Sequence, residues 1–332
     1  MNDIDFVLLW VDGSDPEWLN EKNFYSPVII DDSNSNNRFK DLGLLKYWFR
    51  AVEAYTPWVR KIHFVTWGHL PNFLNTDHPQ LHIVRHEDYM PHEWLPTFSS
   101  HALEMNMHRI PDLSEHFVYF NDDTFIMHPV QKDFFFKKGL PCTKAVEVPI
   151  GFIGKPEVWS FAAVNDIGII NKHFKKREQE KKFRWKYLNQ HYFWFENVRT
   201  AMMGFFFPDY YTGFKTFHCP AAFLKSTFIE IWDKETEKLE LTSSHKFRNK
   251  DDVNQWVAQW WQIASGKFEP IHFETQNFAV SANSILKIQM AIEKTEYDMI
   301  CISDNENTTE TDIGSIIMSF EKKLPHKSAF ER

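Results

Sequence analysis

Acids cluster where apolar runs end. Asp12 and Asp15 follow "DFVLLWV" (5–11), Asp122 and Asp123 follow "HFVYFN" (116–121), and Asp304 follows "MICIS" (299–303). Carboxylates gathered at strand ends suit a hard cation such as Mg²⁺ or Mn²⁺. Such a cation commonly bridges a diphosphate. The plain alternative is a solvated turn in which Asp122 caps backbone N–H groups. Three strand ends that share the feature favour the cation. Arg38, Lys40, His218 and Arg248 fall near expected loops and could meet phosphate oxygens. Gly13 in "WVDGSDP" allows close backbone approach to a ligand or simply serves the turn. Trp10, just before it, either stacks on a base or packs in the core. In "SSHALEMNMHRI" (99–110), His101, Glu104 and His108 share one face of a helix. No HExxH pattern supports zinc there, so the readings left are a polar helix face or a face turned to an active site.

These residues need elements to hold them. "DFVLLWV" (5–11), "KIHFVTW" (61–67), "LHIVRH" (81–86) and "HFVYFND" (116–122) read as buried strands. "LGLLKYWFRAVEAY" (42–55) and residues 99–110 read as helices between them, with Ser99 or Ser100 as N-cap of the second. Strands separated by helices imply a mostly parallel sheet, whose ligands sit at the carboxyl ends of the strands. That puts 10–15, 66–68 and 121–123 on one rim. Residues 155–270 read as a mostly helical insertion, closing on "DDVNQWVAQWWQIASGKF" with Asp251 or Asp252 as N-cap. Residues 298–323 then return to the sheet as a strand and a helix, within one α/β catalytic domain over 1–332.

The totals narrow the class. The 332 residues are 43% hydrophobic and 17% aromatic, with 32 Phe and 13 Trp. That is enough for a large core, with rings to spare for sugars, bases or lipid. A formal net charge of -8 argues against a nucleic-acid partner. Cys142, Cys219 and Cys301 are odd in number and far apart, so a reduced compartment without disulfides is expected. No leader and no run of 18 apolar residues is present, so a cytoplasmic location is expected.

Taken together, "DFVLLWVDGSDPEWL", the long stretch from "RFKDLGLLKYWFRAVEAY" to "HFVYFNDDTFI", "FHCPAAFLKSTFIEIW" with "SHKFRNKDDVNQWVAQWWQIASGKF", and "ICISDNEN" resemble the four regions of the Stealth family, in order. The family includes bacterial cell-surface polysaccharide phosphotransferases and the catalytic subunit of animal GlcNAc-1-phosphotransferase. Length and the lack of a span resemble the bacterial branch. The resemblance implies an α/β fold with a mostly parallel Rossmann-like (glycosyltransferase-A-like) sheet. It also implies transfer of a sugar-1-phosphate from a nucleotide sugar, usually a UDP-sugar, to a hydroxyl of a lipid-linked polysaccharide.

By the same resemblance, Trp10, Asp12, Gly13, Asp15, Arg38, Asp41, His108, Arg109 and Asn305 would bind the nucleotide sugar. Asp123, Asp122 and Asp304 would hold Mg²⁺ or Mn²⁺. Arg248 and Arg38 would neutralise phosphate charge, with Asp123 counted among the catalytic groups. His218 would handle the acceptor proton, with Glu104 as the rival base. Lys40 stands where the family often has arginine, and Thr124 where an aromatic is common. Two other readings are a metal-dependent glycosyltransferase that releases UDP and a non-enzymatic glycan-binding protein. Residues 171–207, first basic and then densely aromatic, could rest on an anionic membrane surface or form a solvated face beside a core helix.

Overall fold

The computed structural model describes residues 3–26, 42–152, 157–305 and 308–332. Eleven strands are found among them: β1 (Ile4–Leu9), β2 (Ile62–Thr66), β3 (Leu81–Arg85), β4 (His116–Asn121), β5 (Thr124–Ile126), β6 (Phe136–Lys137), β7 (Leu140–Thr143), β8 (Ala221–Leu224), β9 (Glu269–Pro270), β10 (Thr275–Ala279) and β11 (Met299–Ser303). The central sheet runs β3-β2-β1-β4-β8. Its first four strands are parallel, and β8 closes the edge antiparallel to β4. The chain is therefore α/β with a mostly parallel central sheet flanked by helices, as the apolar runs suggested.

Strand side chains alternate between two buried layers. Phe6, Leu8, Ile62, Phe64, Val118 and Phe120 enter one layer. Val7, Val65, Phe117 and Tyr119 enter the other. Strands covered on both faces need apolar residues at every position, so these segments read as unbroken apolar runs. Helix Leu45–Tyr55 and the C-terminal helices Ile285–Lys294 and Glu310–Lys323 supply side chains to the first layer. Arg50, buried within Leu45–Tyr55, ties the C-terminus down through Glu321 (2.9 Å) and Glu331 (2.8 Å). Helices Val158–His173, Lys225–Lys234 and Trp256–Ala264 contribute to the second layer.

Three expectations change. Residues 298–323 do not return to the central sheet: β11 pairs with β10 and, antiparallel, with β5. The turn at Asp122–Asp123 directs β5 out of line with β4, and β11 zips against it to make a second sheet of three strands. The helical stretch 155–270 is not wholly outside the sheet, because the fully buried β8 lies within it. The expected helix 99–110 is broken. It ends at Met105, and Met107–Arg109 form a single 3-10 turn. Asn106 sits at the break, its side chain bonded to Ala102 O and Ser243 Oγ. An asparagine amide that competes for backbone carbonyls ends helices in this way.

Candidate active site

The carboxyl ends of β1 and β4, the β5–β11 pair and the loops around residues 217 and 248 enclose a cavity of about 1140 Å³. Trp10, Glu104, Asp122, Asp123, His218, Arg248, Asp304 and Asn305 all line it. Residues from 10 to 305 thus converge on the rim expected of a parallel sheet.

At its centre is a cluster around Asp123. His218 Nε2 lies 3.3 Å from Asp123 Oδ2, and the Cys301 thiol donates to the same oxygen at 3.2 Å. The ligand atoms of the three residues lie within 4.8 Å of one another. Asp123 Oδ1 is buried and, among the described residues, has no hydrogen-bond partner. Burial by itself would lower the His218 pKa, but the Asp123 carboxylate more than offsets it, so the pKa lies above the ordinary histidine value. The His218 side chain remains 41% exposed, open to the cavity. Burial, reinforced by Asp123 and Asp122, pushes the Cys301 thiol far up and keeps it protonated. Cys219, in the same cavity, is raised to about 12, chiefly by burial.

The surrounding groups are held in place. Glu104 is engaged at both oxygens: the Tyr119 hydroxyl lies 3.2 Å from Oε1, and the Gln255 N–H donates to Oε2 at 3.2 Å. Asp304 Oδ1 accepts from the backbone N–H of Asn305. Arg248 donates to Ser100 Oγ at 2.7 Å, and among the described residues it makes no ion pair with an acid. Its loop is fixed by Asp252, which is fully buried. That carboxylate joins His101 (3.1 Å), His245 (2.7 Å) and the Asn249 N–H (2.8 Å). Asp252 therefore does not cap the helix at Trp256–Ala264, whose N-cap is Gln255.

The cluster invites a test for a divalent cation. A buried carboxylate oxygen without a partner is costly unless something fills its lone pairs. Asp123 Oδ1 is such an atom, and Asp122 and Asp304 line the same cavity, so the residues present fit a hard cation. The three acids do not themselves close to the spacing of the Asp123–His218–Cys301 group.

Other expected residues lie elsewhere. Asp12, Gly13 and Asp15 shape the turn after β1 and are not among the cavity-lining residues. Asp12 Oδ1 accepts from Ser14, and Asp15 caps helix Pro16–Tyr25 by accepting from Glu17 and Trp18 N–H. Those N–H donors, Trp18 first, hold the Asp15 carboxyl below its usual range. His108 and Arg109 are carried by the 3-10 turn to Trp232, at 5.8 Å and 4.7 Å, outside the cavity lining. Burial pushes the His108 imidazole down to about 4. Arg38, Lys40 and Asp41 lie outside the described residues.

The structure adds residues that sequence reasoning passed over. Tyr119 shares a strand face with Asn121, which the sequence already put on the rim, and that period-2 signal was present in "VYFN". Asn254 and Gln255 are polar between buried Val253 and Val257, which also marks them. Cys301 gave no signal, because it reaches Asp123 only through the pairing of Cys301 with Thr124.

Comparison with known proteins agrees with the motif reading. Residues 2–27 match Stealth protein conserved region 1, and residues 38–143 match conserved region 2. A capsular polysaccharide phosphotransferase, WcwK of Streptococcus pneumoniae, is 39% identical, over 100% of this chain and 99% of that protein. An exopolysaccharide phosphotransferase, cps2G of Lactiplantibacillus plantarum, is 35% identical over 99% of this chain and 96% of its own length. The receptor polysaccharide phosphotransferase WefC of Streptococcus gordonii is 35% identical over 99% and 98%. Among solved structures, galactosyltransferase LgtC with donor and acceptor sugar analogues aligns over 98% of both chains. Its TM-score is 0.38 and its identity 8%, too distant to bear on function.

Proposed function

The chain belongs to the Stealth family, and from that premise we propose that it is a sugar-phosphate transferase. It moves a sugar-1-phosphate from a nucleotide sugar, a UDP-sugar, to a hydroxyl of a growing cell-surface polysaccharide. The observation that carries the reading is the Asp123–His218 pair facing a cavity in which Arg248, among the described residues, is a cation without an acid partner.

The acceptor oxygen attacks the phosphorus that bears the sugar. A new O–P bond forms, and the bond from that phosphorus to the bridging oxygen breaks. The electron pair leaves with UMP. The acceptor proton passes to His218. When Nε2 donates to Asp123 Oδ2, Nδ1 carries the lone pair and is the proton acceptor, with the carboxylate fixing the ring. Arg248 neutralises the oxygens of the transferring phosphoryl group, where positioning and charge compensation do most of the work. Glu104, bonded at both oxygens, positions Tyr119 and the 255 backbone rather than taking the proton. A divalent cation, Mg²⁺ or Mn²⁺, would be held by Asp123 Oδ1 with Asp122 and Asp304, and would supply charge neutralisation for the diphosphate.

The test is the identity of the released nucleotide. The protein is incubated with a UDP-sugar panel and a polysaccharide acceptor, and products are read by mass and ³¹P NMR. UMP with a new phosphodiester signal supports phosphotransfer. UDP with a phosphate-free product would show glycosyl transfer instead.

A further inference from the structure

Helix Trp194–Phe206 is inside out. Its buried positions are Glu196 and Thr200. The Thr200 hydroxyl accepts from Glu147 N–H, and Glu196 pairs with Lys215 at 3.3 Å. Its solvent-facing stripe is Trp194, Val198, Met202 and Phe205, at helical spacing, with Trp194 78% and Phe205 79% exposed. A surface helix of a water-facing domain shows the opposite arrangement.

The neighbouring helices carry the charge. Lys176–Lys182 and Arg184–Tyr187 face Trp194–Phe206 across a cleft of about 440 Å³, lined by Arg177, Lys181 and Arg184 with one acid, Glu180, on one side and Thr200, Ala201 and Gly204 on the other. Trp185 stands 81% exposed among these cations. Lys172, Lys175, Arg177, Lys181, Lys182 and Arg184 are exposed over 171–210, against two exposed acids, Glu178 and Asp209. Lys181, Lys182 and Arg184 make no ion pair among the described residues. The chain as a whole carries a net charge of -8, so this positive patch runs against the average.

We propose that this face is a docking surface for an anionic lipid bilayer. Exposed Trp and Phe enter the headgroup boundary while Lys and Arg meet the lipid phosphates, the arrangement of an interfacial helix. Self-association would not need the cations, and a sugar would not need a stripe of Val and Met. The patch also adjoins the active site. Phe193, which opens the helix, and Phe217, which lines the cavity beside His218, both lie against the buried Lys144 ammonium, at 5.3 Å and 5.6 Å. A chain docked on this face holds its cavity close to the bilayer, where a lipid-carried acceptor is presented.

The test is flotation of the full chain with vesicles of equal parts phosphatidylglycerol and phosphatidylcholine, and with phosphatidylcholine alone. Binding to the anionic vesicles at low salt is expected, with loss in molar salt and on pure phosphatidylcholine. Replacing Lys181, Lys182 and Arg184 with Glu should lower partition at least 100-fold, since each surface cation is worth roughly a factor of five. Trp194→Ser with Phe205→Ser should lower it at anionic vesicles even though both residues are exposed and the fold is kept, as near-UV circular dichroism would confirm. No flotation at low salt would overturn the proposal. So would a concentration-dependent dimer in sedimentation that Phe205→Ser dissolves, because the stripe would then be covered by a second copy. Flotation needs no substrate, so its failure leaves the proposed transfer reaction standing.

Discussion

Two aspartates stand at opposite ends of the same sheet, and each meets a histidine. Asp5 opens β1, and its carboxylate is saturated. Arg60 donates at 2.8 Å and 2.6 Å, Ser114 N–H at 2.8 Å, and His63 Nε2 lies at 3.1 Å. Asp5 and His63 are fully buried. Asp123 follows β4 at the other end. Its Oδ2 has His218 and Cys301, its Oδ1 has no partner among the described residues, and the His218 side chain is open to the cavity. The same residue pair thus serves two purposes. A carboxylate whose lone pairs are all filled by protein stabilises the fold; one left short by the protein is available to a ligand.

The sharpest way to break this comparison is Asp123→Ala. Transfer should fall on the order of 10³-fold or more, about 4 kcal/mol of transition-state stabilisation. The melting temperature should change little, because removing the unsatisfied buried Oδ1 offsets the acceptor lost to His218 and Cys301. Nucleotide release and thermal unfolding of the same sample check both halves. Near-normal turnover would remove Asp123 from the chemistry.

The mirror experiment is Asp5→Asn. Losing the carboxylate charge leaves Arg60 with the exposed Asp112 as its remaining ionic partner and weakens the acceptor that the buried His63 ring and Ser114 N–H share, at a cost of about 3 kcal/mol. Transfer measured where the variant is folded should be unchanged. Urea unfolding beside the assay reads the split, and a loss of activity without a loss of stability would put Asp5 on the wrong side of the comparison.

The amino end also predicts a pH response. Burial would raise the Asp5 carboxyl, but hydrogen bonds from His63, Arg60 and the Ser114 backbone more than offset it and hold the pKa at about 2, below the usual 3.8. A depressed folded-state value means the stabilisation is present above the unfolded value and is lost as pH falls through the folded one. Between pH 4 and pH 2 the protein should therefore lose about 2 kcal/mol more than its Asp5→Asn variant. Parallel pH curves in urea titrations would show that Asp5 contributes nothing by its charge.

The difference between the two ends also explains what could be read in advance. The parallel strands were legible because burial on both faces leaves unbroken apolar runs such as Phe6 to Leu8 and Phe117 to Phe120. Acids that interrupt such runs are visible for the same reason, so Asp122, Asp123 and Asp304 stood out, and they share a cavity. Pairings between distant segments leave no local trace. The β5–β11 ladder that brings Cys301 to Asp123 spans about 180 positions of chain, and no periodicity announces it. Asn106 was visible but mute, because an asparagine in a helical pattern breaks the helix only when a partner such as Ser243 is within reach. With the helix broken, His108 moved away from the face it would have shared with His101 and Glu104.

Cys301 supplies the finest distinction. Its thiol stays protonated and donates to Asp123 Oδ2, so it acts here as a hydrogen-bond donor and not as a thiolate. A serine hydroxyl can do the same from the same position. Cys301→Ser should therefore leave kcat/KM within about threefold, under ~1 kcal/mol, and leave the half-saturating concentration of Mg²⁺ where it was. Hard cations take oxygen in preference to sulfur, so losing the sulfur costs them little. Activity titrated with Mg²⁺ and with Mn²⁺, wild type against variant, decides the point. A shift of tenfold or more in the metal requirement would mean that the sulfur holds the cation, and that Asp123 Oδ2 is as open to a ligand as Oδ1.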